Sequence, residues 1–593
     1  MISILNKGVV TMDPIKVDFS GGGSKKGKSV VIPPNKAGLK IAINLVVTAI
    51  VAAVAYYFYL PAFNFKAIEM YIYFGIIIAA YCVTAFVTSG AVMSPEYSPY
   101  ARKRTRIPLI IGLVLAVTVG IGFIVSSVFF RANDYHEIIT PETIDFSEDI
   151  KEADFASVPL LDKDSAETLA TKALSDLFDE NLVSQFNVNS CETQINLKNR
   201  PVRVATLKYN DIIKWFTNRK GGLPGYLVID MTTQKVDYIK VDGGIKYSDA
   251  DHFNQLLKRH LRFEYPTKLL GDSVFEVDEN GNAYWVCPIY DNTIGLFGGR
   301  DVIGAILVNP TTGECVDYTI DEIRSDEALN WLDRVYDPDL LVEQYDYYGK
   351  YVNGFWNSIL GQKDVVVTTD GYNYIALNDD VYMYTGVTSI TTGDNSITGF
   401  TLINQRTKEA KFYRVSGATE NAAQEAAQGK VQQYSYTATF PLLLNIGNEP
   451  TYFMALKDKS NIVQQYALVN VNQFTTIVAT GTSIQSCLES YIKLLADNDI
   501  KTDIDVESVV DQNQPEGNKP EAVTVTGKIT EIRTAVINGD SCYYLKLDSS
   551  AAYFAVYASD FENVVIANSG DTVEITHKES TDAIIKADSF TLK

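Results

Sequence analysis

Residues 22–29 read Gly-Gly-Ser-Lys-Lys-Gly-Lys-Ser, the G-x-x-x-x-G-K-S spacing of a loop that cradles phosphates. Such a loop works when a strand delivers it and a helix follows at once, so that backbone N–H groups converge on the anion. Here Pro33 and Pro34 follow, and an uncharged apolar stretch begins at Ile41. Prolines keep a helix from continuing out of the loop. The segment therefore reads as part of a basic tail that touches anionic headgroups. The other reactive residue types are scattered. His136, His252, His260 and His577 form no H-E-x-x-H pair, and all four read as surface side chains. Cys82, Cys191, Cys287, Cys315, Cys487 and Cys542 contain no C-x-x-C. Cys82 lies in an apolar stretch, and the five others are an odd number, which is no disulfide framework. Cys287 and Cys315 read as small apolar strand residues. Asp278 and Asn282 bracket a run rich in oxygens that lacks calcium-loop spacing and reads as a turn. No G-x-S-x-G elbow occurs. These spacings assign no catalytic, cofactor-binding or metal-ligating residue and imply no cofactor. An acid/base pair of carboxylates assembled in three dimensions stays open.

The elements are more legible than the chemistry. Residues 41–60, 70–93 and 107–130 carry no charge. Each is long enough to cross a hydrocarbon core of about 30 Å as a helix. Tyr56, Tyr57, Tyr59 and Phe63 gather at one end of the first, as an interfacial aromatic belt does. Basic residues in short flanks set direction. Lys25, Lys26, Lys28, Lys36 and Lys40 precede the first span, and Arg102, Lys103, Arg104 and Arg106 precede the third, whereas the loop after the first holds only Lys66. The expectation is a plasma-membrane protein with a cytoplasmic N-terminus and everything after about residue 130 extracytoplasmic. No cleavable signal peptide is evident, and Met12 is a second candidate start. No ionisable acid or base sits within the spans, which fits an anchor better than a pump. Charge divides at the same place. Up to Phe130 there are 12 Lys+Arg against 4 Asp+Glu, leaving 39 against 68 for the rest of the chain. So acidic an array repels nucleic acid. No N-x-S/T acceptor occurs, and the unpaired cysteines fit a bacterial surface protein that folds on its core alone.

A three-fold pattern follows the spans. Gly225, Gly304 and Gly399 each open an apolar run. Asp230, Asn309 and Asn404 sit five residues on, then Thr233, Thr312 and Thr407, and Tyr238, Tyr318 and Tyr413 close the second strand. This is a β-hairpin whose turn carboxylate or amide bonds the following backbone. Helices are expected after each hairpin: from Ser248, with Phe253, Leu256 and Leu257 on one face; from Ser325, with Leu329, Leu332 and Tyr336; and from Thr419. Another is expected from Asp164, with Glu167 completing its cap, and a further β-rich stretch precedes a helix over 483–496. The spacing predicts small α+β modules in tandem. Hairpins of this kind packed with helices, notably Val308 to Glu314, resemble the PepSY family of extracytoplasmic modules. That resemblance implies envelope regulation or restraint of a peptidase, and carries no residue-level role.

After a polar linker at 511–520 the chain reads as all-β. Gly527, the Asn538-Gly539 turn and Gly570-Asp571 resemble an OB-fold barrel, in which a glycine lets a long strand bend. Tyr543, Tyr544, Tyr553, Phe554 and Tyr557 could stack bases, but 11 acidic against 6 basic side chains over 521–593 disfavour nucleic acid. The aromatics read instead as half-buried strand residues. The organisation expected is thus a basic cytoplasmic tail (1–40), three transmembrane helices (41–130), α+β modules over 131–245, 246–330 and 331–430, a fourth β-rich segment with a helix (431–510), the linker, and an OB-like barrel (521–593). The function expected is binding, scaffolding or regulation in a bacterial cell envelope. The partners expected are the lipid bilayer and either another envelope protein or a second copy of the chain, with no nucleic acid. The alternative is an envelope hydrolase or transferase with a carboxylate site between modules.

Overall fold

The computed structural model describes residues 31–593 except 32, 156–157, 178–179, 378–379, 391–395, 503, 505–521, 538–539, 579–583 and 588. The phosphate-loop pattern at 22–29, the linker at 511–520, the Asn538-Gly539 turn and the Cys191 side chain lie outside the described residues.

Three helices are long and apolar enough to cross a membrane: α1 (Ala37–Tyr59), α2 (Ile68–Ser89) and α3 (Ser98–Val125). The third starts ahead of its uncharged run. Pro99 occupies its first turn, and Arg102, Lys103 and Arg104 continue it as good helix formers. It stops at Ser126, before the expected residue 130, and α4 (Val128–His136) restarts beyond Ser127.

The folded region is keyed to the ends of these helices. Arg259 Nε donates to the Tyr57 carbonyl at 3.1 Å and Arg262 Nε to the Leu60 carbonyl at 3.1 Å. Two guanidinium groups thus meet the carbonyl end of α1, where positive charge complements the helix dipole. Lys66 pairs with Asp291 at 2.7 Å. Ser126 Oγ accepts from the backbone N–H groups of Leu296 and Phe297, at 2.8 and 2.9 Å. Phe297 then wedges against Tyr71 and Phe123, with centroids 5.8 and 5.1 Å away. A Cβ on Gly122 would stand 2.5 Å from the Phe297 ring, so a glycine makes room for the wedge.

Beyond α4 comes a mixed α/β region of several sheets. The first has four antiparallel strands in chain order, Phe186–Leu197, Arg200–Tyr209, Leu223–Asp230 and Val236–Ile245. The second is built on Ala283–Ile294 and Gly298–Val308, with Cys315–Thr319 at one edge. The third centres on Asp380–Ser389 and Gly399–Asn404, and takes Glu142–Ile144, from far earlier in the chain, as a parallel edge strand on Ala410–Tyr413. The fourth centres on Glu449–Lys457 and Val463–Asn470. Apolar cores run between neighbouring sheets: Trp285 and Tyr226 join the first two, and Tyr413, Tyr452 and Tyr491 the last two.

The repeated hairpins form in equivalent registers, Ile229 opposite Val236, Val308 opposite Cys315 and Ile403 opposite Ala410. In each turn one side-chain oxygen takes two backbone N–H groups. Asp230 takes those of Thr232 and Thr233, Asn309 those of Thr311 and Thr312, and Asn404 those of Arg406 and Thr407, all at 2.8–3.0 Å. The opening glycines have one cause. A Cβ on Gly225, Gly304 or Gly399 would come within 2.1, 2.2 or 2.3 Å of the carbonyl oxygen of Ile239, Tyr318 or Tyr413. A fourth such turn exists at Asn470, which takes the N–H groups of Asn472 and Gln473. Its longer loop and Gln465, in place of the glycine, hide it in the sequence.

Two expected helices do not form as read. The stretch from Ser248 makes only a 3-10 turn (Phe253–Gln255), because Ser248 and Trp215 both donate to Asp251, and the α-helix starts only at Leu257 (Leu257–Glu264). Phe253, with a positive φ, leaves the helical face. From Ser325 a single 3-10 turn (Glu327–Leu329) appears, because the backbone beyond it is used elsewhere. Asp333 and Arg334 donate to Glu276, and Val335 and Tyr336 to the Gln405 carbonyl. Helices form at Lys163–Leu177, Glu420–Lys430 and Ile484–Asp497; the last two carry the expected caps, Thr419 and Ser483. The first is capped by Asp162, two residues before the expected Asp164. Pro338–Lys350 is a helix the sequence reading did not single out.

The C-terminal strands form a half-barrel. Ala522–Ile537 pairs with Thr572–Lys578 through its first half and with Asp540–Leu547 through its second. Gly527 stands at the changeover, where a Cβ would meet Ser549 Oγ at 2.3 Å. Tyr543, Tyr544, Tyr553 and Tyr557 are half-buried strand residues, and Phe554 is in the core.

Candidate functional site

Residues 149–155 lie against the third and fourth sheets and residues 158–160 against the first, held by hydrogen bonds to their backbone. Ala153 N donates to the Asn445 carbonyl at 2.8 Å, Asn445 Nδ2 to the Ile150 carbonyl at 2.7 Å, and Leu160 N to the Met231 carbonyl at 2.9 Å. This segment runs alongside the edge strand Leu442–Ile446, and a cleft of about 470 Å³ opens beside it. The cleft walls come from three sheets. Thr232 and Thr233 of the first repeated turn form one side, Ile375 and Leu377 of the third sheet another, and Leu442 and Leu444 of the fourth the last. Apolar and polar side chains share the lining, the usual make-up of a small-molecule or peptide cleft.

Asp149, Lys411 and Glu152 in its lining are each engaged. Asp149 accepts from Tyr413 Oη at 2.5 Å and from Lys411 Nζ at 3.1 Å. Burial raises the Asp149 carboxyl, but the bonds from Tyr413 and Lys411 outweigh it and hold it below the ordinary range. The Lys411 ammonium is lowered by burial and raised more by Asp149, for a net upward shift. Glu152 accepts from Gly447 N at 2.8 Å, and burial keeps its carboxyl above the ordinary range. Asp149 and Glu152 are thus each turned to their own partners, an arrangement that fixes the cleft walls.

A second cavity, of about 480 Å³, lies on the other side of the same segment and shares Pro159 and Leu442 with the first. Arg203 and Arg334 line it, and the Arg334 guanidinium lies 4.9 Å from the Tyr374 ring centroid. Asp162 there is paired with Lys457, and Asp337 caps the helix Pro338–Lys350 through Asp339 N at 2.8 Å. Glu276, fully buried behind this cavity, takes the N–H groups of Asp333 and Arg334 at 2.9 Å each, and burial pushes its carboxyl up.

The histidines fare differently from the sequence reading. Only His252 is exposed. His577 is buried, His136 Nδ1 lies 2.6 Å from the Tyr348 carbonyl, and His260 Nε2 lies 2.7 Å from the Gly313 carbonyl. They are packing groups because tertiary contacts that sequence spacing does not show enclose them. Cys315 Sγ stands 3.6 Å from His260 Nε2, a pairing that could activate a thiol. Burial, reinforced by Glu264, instead pushes the Cys315 thiol to about 11, so it stays protonated at neutral pH. Cys287 and Cys487 are buried thiols pushed up to about 12 by desolvation. Asp278 is a turn residue, taking the N–H groups of Asn280 and Asn282. Among the described residues no cluster of His, Cys, Asp and Glu could hold a metal ion.

Of the cleft residues the sequence reading named only Thr233, and that as a turn residue. Asp149, Lys411, Arg203 and Arg334 lie far apart in the chain and carry no spacing signal. The docking wedge had one: Phe297 sits in Gly-Leu-Phe-Gly-Gly, an apolar tip framed by glycines. No family model, no curated protein and no solved structure matches the chain.

Proposed function

We propose that the chain is a membrane-anchored protein of a bacterial cell envelope that binds, scaffolds or regulates another envelope protein. The observation that carries this reading is the keyed joint between the folded region and the ends of the apolar helices. Arg259 and Arg262 on α1, Lys66 with Asp291, and Phe297 between α2 and α3 hold the α/β array in one pose over the bilayer. A tether would suffice to keep an enzyme near a membrane; a fixed pose serves a partner that is itself fixed there. The N-terminus is cytoplasmic and the array extracytoplasmic, a direction that the basic flanks of α1 and α3 favour. The cleft receives a peptide segment of the partner, since Ile375, Leu377, Leu442 and Leu444 give it apolar walls and Thr232 and Thr233 polar ones. The terminal half-barrel is read as OB-like: Ile584–Lys586, on Tyr553–Tyr557, and Ser589–Leu592, on Thr572–Lys578, stand at its two edges, the strands that closure would bring together. Its acidic surface suits a basic protein face better than nucleic acid.

Cross-linking of the tagged full-length chain in its own membrane, followed by mass spectrometry, tests the proposal. A stoichiometric envelope protein joined through the α/β array or the barrel is the expected result. Cross-links within the chain alone, at saturating reagent, contradict it.

A further inference from the structure

Two apolar patches face outward beside the ends of the span helices, and neither belongs to the spans. The first joins the short helix Ile212–Asn218 to the loop at Phe253. Ile213 is 67% exposed and Phe216 and Phe253 about half exposed, although Trp215 between them is buried. Phe216 and Phe253 lie 6.2 Å apart, and the Arg219 guanidinium covers Phe216 at 5.6 Å. Arg259 fixes this patch to the bilayer boundary, since it donates both to the Phe253 carbonyl and to the Tyr57 carbonyl at the end of α1.

The second patch is residues 351–362, which carry no charge and are bracketed by Lys350 and Lys363. Their helical turns, Gly354–Trp356 and Asn357–Gly361, present Trp356 at 62%, Ile359 at 52% and Leu360 at 77% exposure. Phe129, just past the end of α3, packs on Phe355 and Trp356 at 5.1 and 5.8 Å.

We infer that both patches insert into the interfacial layer of one leaflet, so that the folded region rests on the bilayer at two feet besides its three spans. The inference rests on the membrane-spanning reading. What selects lipid as the occupant is continuity: each patch is fixed to the terminus of a span helix, at the level where headgroups begin, and one is tied through α1 and the other through α3. The composition is that of an interfacial segment, with Trp, Phe, Ile and Leu on the exposed side and Lys and Arg at the margins. Lys350, Lys363 and Arg219 snorkel to the headgroups while the apolar side chains sink below them.

Tryptophan quenching reads this directly. The chain has four tryptophans, none lies in a span helix, and Trp356 is the exposed one. The full-length protein is placed in phosphatidylcholine vesicles with bromines on the upper acyl chain, and in unbrominated vesicles as reference. Retention through an alkaline wash reports spanning separately from the quenching. The expected result is bromolipid quenching in the parent protein, loss of most of it in Trp356→Phe, and a new quenchable component in Ile213→Trp. Vesicle-retained protein without quenching, or with equal quenching in Trp356→Phe, overturns the inference and assigns these faces to a protein partner or to water. Quenching at one position alone overturns the paired arrangement.

Discussion

Asp251 shows what one buried carboxyl does in this chain. It accepts from Trp215 Nε1 at 2.9 Å and Ser248 Oγ at 2.7 Å, and it holds residues 248–252 out of a helix. Burial pushes its carboxyl up to about 6, against the opposing pull of those hydrogen bonds. An acid raised in the folded state holds its proton there longer than in the unfolded chain. Its contribution to stability is therefore full below the ordinary value of 3.8 and lost as pH rises through about 6. Trp215 fluorescence and the thermal midpoint should both show an inflection near pH 6, and Asp251→Asn should abolish it; an unchanged inflection would assign it elsewhere. The repeat glycines make a second prediction. Gly304→Ala drives a Cβ into the Tyr318 carbonyl and should cost about 1–3 kcal/mol. Gly429→Ala, in a helix with open space around it, should stabilise by about 0.5–1 kcal/mol. Denaturant midpoints check both, and equal effects would refute the steric account of the repeat.

At the scale of elements, the helix Leu257–Glu264 joins the folded region to α1. The Arg262 guanidinium donates to three carbonyls, those of Leu60, Tyr265 and Lys268. A lysine cannot fork to all three. Arg262→Lys should leave buried acceptors unpaired, cost about 1–3 kcal/mol and open the loop after α1 to protease. Unchanged thermal midpoint and protease resistance would mean that the joint does not depend on this side chain. Elements were legible where one local cause decides them. Gly225, Gly304 and Gly399 with their turn residues marked hairpins because a single side-chain oxygen closes each turn. Thr419 and Ser483 marked helix starts because a cap acts within three residues. Elements were misread where a distant partner claims the backbone. Glu276 takes the N–H groups of Asp333 and Arg334, and the helix expected from Ser325 cannot form. The cleft was illegible for the same reason: Asp149 and Lys411 are 262 residues apart.

For the whole molecule, the break in charge at Phe130 and the three uncharged runs foretold the three apolar helices and the large folded region after them. The sequence could not foretell that the first loop and the hairpin around Phe297 lock that region onto the helices, because the lock is made of single residues from distant segments. This joint places the loop after α1 and the α/β array together at one end of α1, and the basic flanks are the ground for the proposal that this side is extracytoplasmic. The most direct test is an impermeant maleimide on an introduced cysteine at Lys430, exposed at the end of the helix Glu420–Lys430, in intact cells. Labelling without lysis is the result this account predicts. Labelling only after lysis would put the array in the cytoplasm and contradict the envelope function proposed for it.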